Sequence, residues 1–176
     1  MEETVSSKTL HVGKNFSFKT DVVRLPSGKE TVRDVVDHPG SVAIIAVDDG
    51  EMVLVRQYRY SAESELLEIP AGTLEVGEDP YACAVRELQE ETGYAASEWS
   101  KLLSAYMAPG YSNEVIHFYI AEGLTPVGSN PEEDESISVE KYSLNEVTDL
   151  IESNEIRDSK TITGVLAYLT RTTSLS

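Results

Sequence analysis

The chain has a single cysteine, Cys83, so an internal disulfide framework is excluded and a reducing compartment, the cytoplasm, is expected. Seven prolines against 40% apolar residues argue against a disordered chain. No long apolar run is present. The longest, Val42 to Val47, is far too short to span a bilayer, and the opening MEETVSSKTL lacks the apolar centre of a signal peptide. Basic residues are also scarce: 14 against 31 acidic ones, a net charge of −17. Such a surface repels nucleic acid and anionic membranes, which excludes both as partners. It repels a free diphosphate ester as well, so an enzyme acting on one needs divalent cations at its site.

The 176 residues suit one domain with a short appendage. Residues 1–40 read as an N-terminal antiparallel β segment. In it Phe16 to Leu25 and Glu30 to Val36 form a hairpin around the turn Pro26-Ser27-Gly28-Lys29. Strands follow at Ser41 to Val47, Met52 to Tyr58 and Leu66 to Ile69, the last broken by Pro70-Ala71-Gly72. Asp79-Pro80 opens a helix running to about Glu91, with Gly93 as its stop and Tyr81, Ala84, Val85 and Leu88 as its apolar stripe. Further strands are expected around Leu102 to Met107, Ile116 to Ala121 and Ile137 to Tyr142, the last two separated by a loop over Gly123 to Glu135. Ser143 to Glu146 is a capping box, and Asp158 caps a last helix through Leu169. Hairpins outnumber crossover units, which favours an α+β sandwich over a doubly wound sheet.

The stretch GTLEVGEDPYACAVRELQEETGY, from Gly72 to Tyr94, carries the chemistry. On a helix Glu87, Glu90 and Glu91 stand at i, i+3 and i+4 and share a face. Alone, this trio reads as a solvated acidic face with an Arg86–Glu90 pair, or as a cluster of hard oxygen ligands suited to Mg2+. Gly72 permits close backbone approach and frees the Ala71 carbonyl. Arg86 orients carboxylates through bidentate bonds, and Glu78 supports it or faces the helix N-terminus.

The stretch matches G-x5-E-x7-R-E-U-x-E-E-x-G-U, U being apolar, at every invariant position, and so resembles the Nudix box of hydrolases that cleave nucleoside diphosphates linked to another moiety. Outside the box, Gln57-Tyr58-Arg59, Leu67-Glu68-Ile69-Pro70-Ala71-Gly72, Ala108 to Glu114 with Pro109 sixteen residues beyond Gly93, and Glu132 to Val139 resemble the ADP-ribose pyrophosphatase branch. Asn113, Ala108 and Tyr94 depart from its usual residues; the first two bear on substrate range and none on a metal carboxylate.

The resemblance implies a Nudix-type α/β/α sandwich with a mixed sheet over residues 41–176, and a homodimer built through residues 1–40. It implies Mg2+-dependent hydrolysis of ADP-ribose to AMP and ribose 5-phosphate, with two or three ions and Mn2+ as a substitute. The implied metal ligands are the Ala71 carbonyl, Glu87, Glu90, Glu91 and Glu135, with Glu133 as base for the attacking water. Substrate contacts fall to Arg59, Glu68 and Gly72, to Arg33 across the subunits, and to Phe18 as adenine platform. Ordinary strand packing accounts for Phe18 equally well. The competing readings are a hydrolase of sugar nucleotides or oxidised nucleoside diphosphates, and a non-catalytic regulator that binds ADP-ribose.

Overall fold

A computed structural model describes residues 1–128 and 137–173. Strands β1 (Glu3–Val12), β2 (Ser17–Arg24) and β3 (Glu30–Asp37) form an antiparallel three-stranded sheet of their own. The β2–β3 hairpin follows the sequence reading. The strand β1 does not: its ten residues are all exposed and carry polar groups on both faces, so no alternation announces it.

The second sheet has seven strands. Its central path runs β10 (Ile137–Ser143), β5 (Glu51–Arg59), β4 (Ser41–Asp48), β9 (Val115–Pro126), β8 (Tyr94–Tyr106), with β6 (Ser64–Glu68) on β5 and β7 (Ala71–Thr73) on β4. The β4–β9 pair is parallel and the rest are antiparallel, so the sheet is mixed. Ala71-Gly72, expected to end a strand, instead forms β7 against Ser41–Ala43, while the Pro70 carbonyl accepts the Ile44 N–H at 2.8 Å.

Strand β4 is buried on both faces because helices cover both sides of the sheet. Val42, Ile44 and Ala46 pack with Cys83, Ala84 and Leu88 of α1 (Pro80–Thr92). Ala43, Ile45 and Val47 join a core with Val147 of α2 (Leu144–Glu152) and Val165 and Tyr168 of α3 (Ser159–Thr173). One helix on one face and two on the other make the α/β/α sandwich. The stripe of α1 is rotated from the one expected: Tyr81 is 46% exposed and Val85 40%, while Cys83 is buried. Tyr81 lies edge-on to Trp99 and Tyr119, 5.7 and 6.1 Å between ring centroids, which lets a large aromatic finish the helix edge without entering the core.

The small sheet is tied to the large one through the loop before β9. The Val36 N–H donates to the Tyr111 carbonyl at 2.7 Å, and the Asn113 side chain bridges the His38 N–H (2.8 Å) and the Asp37 carboxylate (2.6 Å).

Candidate active site

Helix α1 is fixed at both ends. The Asp79 carboxylate accepts from the N–H groups of Tyr81 (3.0 Å) and Ala82 (3.2 Å), and Gly93 leaves the helix at φ 73°, a left-handed turn that suits glycine. Between these ends its polar face turns toward β7. The two come so close that a Cβ on Gly72 would fall 1.9 Å from the Glu87 carboxyl carbon. Glycine at this position therefore exists to seat Glu87. The Ala71 N–H donates to Glu91 at 2.9 Å, which sets the last turn of the helix against the same strand.

Arg86 gathers the neighbouring carboxylates. Its Nε and Nη2 each meet Glu78 at 3.1 Å, and Nη1 meets Glu87 at 2.7 Å and Glu90 at 2.9 Å. The hydrogen bond from Arg86 holds the Glu78 carboxyl below its ordinary range, and the same bond holds the Arg86 guanidinium more firmly charged, against the cost of its partial burial. The Cys83 thiol is pushed up to about 12 by burial and by nearby Glu78 and Glu87, so it stays a protonated packing group.

A cavity of about 780 Å³ opens beside this face. Gly72 and Ala71 of β7 and Glu87, Glu90 and Glu91 of α1 line it on one side, and Gln57 and Arg59 of β5 and Lys160 of α3 line another part. Beneath the cations lies Glu68, only 1% exposed. Its carboxylate takes a bidentate pair from Arg59 (2.8 and 2.7 Å) and a contact from Lys160. Burial opposes ionisation of Glu68, yet the Arg59 hydrogen bond and the Lys160 charge carry its carboxyl below the ordinary range. Lys160 also meets Asp158 at 3.0 Å.

Of the residues singled out in the sequence, Ala71, Gly72, Glu87, Glu90, Glu91 and Arg59 come together on this cavity. Glu68 is drawn under it, as a support of Arg59. Arg33 and Phe18 lie on the three-stranded sheet and not among the lining residues: Arg33 pairs with Glu2 at 2.8 Å, and Phe18 stands across from Val36. Glu133 and Glu135 lie outside the described residues. Among the described residues no three acidic, histidine or cysteine side chains converge at metal-binding distances; Arg86 occupies Glu87 and Glu90, and Ala71 occupies Glu91. The donors nonetheless fit a hard divalent cation. They are carboxylate oxygens on a cavity wall, seated by a glycine, with more negative charge than one arginine offsets.

Sequence reasoning missed Lys160 and the Ser41–Glu114 pair (2.8 Å), which also borders the cavity. The one signal for Lys160 was a cation in the first turn of a helix, where the helix dipole disfavours it.

Comparison with known proteins places these features in a lineage. A family model, "NUDIX domain", matches residues 37–163. The chain is similar to an ADP-ribose pyrophosphatase of Bacillus subtilis (strain 168), 40% identical over 91% of this chain and 88% of that protein. It is 40% identical to a methanol dehydrogenase activator of Bacillus methanolicus (93% and 90%) and 43% identical to an ADP-ribose pyrophosphatase of Mycobacterium tuberculosis (strain ATCC 25618 / H37Rv) (99% and 86%). Among solved structures, "Crystal structure of ADP compounds hydrolase" superposes with a TM-score of 0.87 over 99% of this chain and 96% of that one, at 22% identity. At that identity the likeness is one of fold.

Proposed function

The chain belongs to the NUDIX domain family, and from that premise we propose that it hydrolyses the diphosphate of ADP-ribose to AMP and ribose 5-phosphate. The observation that carries this reading is the cavity itself. One wall has the surplus of carboxylates a divalent cation needs, and another has two cations, Arg59 and Lys160, for the anion it accompanies. Water adds to one phosphorus, the bridging P–O bond breaks, and the other phosphate leaves with the bridging oxygen.

The Ala71 carbonyl, Glu87, Glu90 and Glu91, joined by Glu135, are the groups that would hold Mg2+, as two or three ions, with Mn2+ as substitute. When bound, the metal neutralises phosphoryl oxygens and favours hydroxide. Glu133 takes the proton of the attacking water, a role worth about 10²–10⁴-fold in rate. Arg59 contacts phosphate, Glu68 fixes Arg59, and Gly72 meets the substrate through its backbone, the place of a side chain there being filled by Glu87.

Residues 1–40 form the dimerisation segment and residues 41–176 the hydrolase domain. Arg33 and Phe18 then act across the subunit boundary on phosphate and adenine. Residence in the cytoplasm rests on the single buried cysteine. Among the described residues no helix is long and apolar enough to cross a membrane.

The test is AMP release from ADP-ribose with excess Mg2+, with and without chelator, beside sugar nucleotides and oxidised nucleoside diphosphates. Chelator-sensitive release of AMP and ribose 5-phosphate is expected; faster turnover of another diphosphate replaces the substrate but keeps the site. In E133Q kcat should fall by about 10²–10⁴-fold with KM little changed. An unchanged kcat removes Glu133 from the mechanism.

A further inference from the structure

Lys160 helps to balance the buried Glu68, yet it also faces the cavity. It occupies the first turn of α3, the end of a helix that disfavours a cation. Its side chain is 13% exposed, and what remains open borders the cavity. Two carboxylates hold its ammonium, Glu68 from β6 and Asp158 from the helix start at 3.0 Å.

An ammonium has three N–H donors and no acceptor, so two carboxylates leave one donor over. Glu68 cannot use the cavity in its place, because it is buried and Arg59 and Lys160 already load its oxygens. Asp158 is likewise committed, accepting from the Thr161 N–H (2.9 Å) and hydroxyl (2.6 Å). That hydroxyl accepts the Ile69 N–H at 2.9 Å, which locks the start of α3 to the end of β6. The ammonium is thus held still with a donor to spare. Arg59 and Lys160 line the same cavity as Glu87, Glu90 and Glu91.

We propose that Lys160 is a substrate-contacting residue that donates to a non-bridging phosphoryl oxygen of the diphosphate, with Glu68 and Asp158 as its positioning residues. The assignment rests on the functional reading above, which supplies the diphosphate. A donor-only cation beside Arg59 fits a phosphoryl oxygen better than a sugar hydroxyl, because a charge-assisted bond is the stronger.

The measurement is calorimetric affinity, with Mg2+ present, for the α,β-methylene analogue of ADP-ribose, which keeps the non-bridging oxygens and resists cleavage. K160M should bind about 10- to 100-fold more weakly than wild type, and K160R should recover most of the loss. Should K160M fail to fold, K160Q carries the same expectation. T161V breaks the clamp between α3 and β6 and removes one of the two bonds Thr161 gives Asp158, but keeps the Thr161 N–H bond to Asp158 and both carboxylates on the ammonium. It should lower the melting temperature and leave affinity within about 2-fold.

Wild-type affinity in K160M or K160Q overturns the assignment. So does T161V losing as much affinity as K160M, since Lys160 is then merely part of the clamp. Wild-type protein that neither binds the analogue nor cleaves ADP-ribose overturns the functional reading and this assignment with it. Activity in the wild type with K160M unaffected overturns Lys160 alone.

Discussion

Two ionic clusters border the same cavity, and they are built in opposite senses. At α1 one guanidinium, Arg86, is shared by three carboxylates, Glu78, Glu87 and Glu90. On β6, beside β5, one carboxylate, Glu68, is shared by two cations, Arg59 and Lys160, and Asp158 brings that cluster to balance. The first retains a surplus of negative charge and is completed only by a further cation. The second is balanced around a buried carboxylate, so it stays rigid and presents donors. The unbalanced cluster is the wall proposed to take the metal; the balanced one supports the donors that face it.

The largest effect expected from this contrast is on turnover. E87Q and E91Q should each lower kcat by at least about 10²-fold, since metal stabilisation of phosphoryl charge is worth several kcal/mol. Without Mg2+, E87Q should melt no lower than wild type, because removing one of several like charges relieves repulsion. Thermal melts with and without Mg2+, beside steady-state kinetics, check both halves. An E87Q protein that melts far below wild type without metal makes the α1 cluster structural, and the contrast fails.

The same exchange at Glu68 should do the reverse. E68Q removes the one carboxylate that both cations share, and breaking a buried pair costs about 3 kcal/mol, the low end because both cations open onto the cavity and Lys160 keeps Asp158. For a chain of this size that is a melting temperature lower by about 6–12 °C, with or without Mg2+. The loss should also depend on pH. Glu68 titrates below its ordinary 4.5 in the folded state, so its contribution is present above 4.5 and fades as pH falls through the folded value. The gap between wild type and E68Q should narrow on acidification below about pH 4.5. A gap independent of pH would show that shape, not charge, is what Glu68 supplies.

The two clusters differ as much in how legible they are. Glu87, Glu90 and Glu91 share a helix face by spacing alone, and Gly72 and Gly93 mark that helix and its strand, so the acidic wall can be read from the sequence. The capping signals at Asp79, Ser143 and Asp158 also appear where expected, because a cap is a local hydrogen bond. The cationic side is assembled from residues far apart: Glu68 and Lys160 meet only because the Thr161 hydroxyl takes the Ile69 N–H. No spacing rule reports such a contact. The strand β1 was missed for a related reason. With both faces exposed it has no buried side to impose a period of two, and β2 alone gives it its register.

The smallest effect compares the two aspartates that open helices. Among the described residues the Asp79 side chain accepts hydrogen bonds only from Tyr81 and Ala82, as the cap of α1. D79A should cost about 1 kcal/mol, or about 2–4 °C in melting temperature. Turnover should change little, because the carboxylates lie in the last two turns of the helix and Gly72 and Ala71 seat them independently. Asp158 caps α3 through Thr161 and also holds Lys160, so D158A removes the same kind of cap and an ion pair besides. It should therefore melt below D79A, and the excess measures the Lys160 pairing, since the cap terms cancel to first order. Equal melting of the two variants would mean that Asp158 gives Lys160 nothing. The balance of the second cluster would then rest on Glu68 alone, with two cations to one carboxylate. That would leave the cationic wall needing an anion as much as the acidic wall needs a metal.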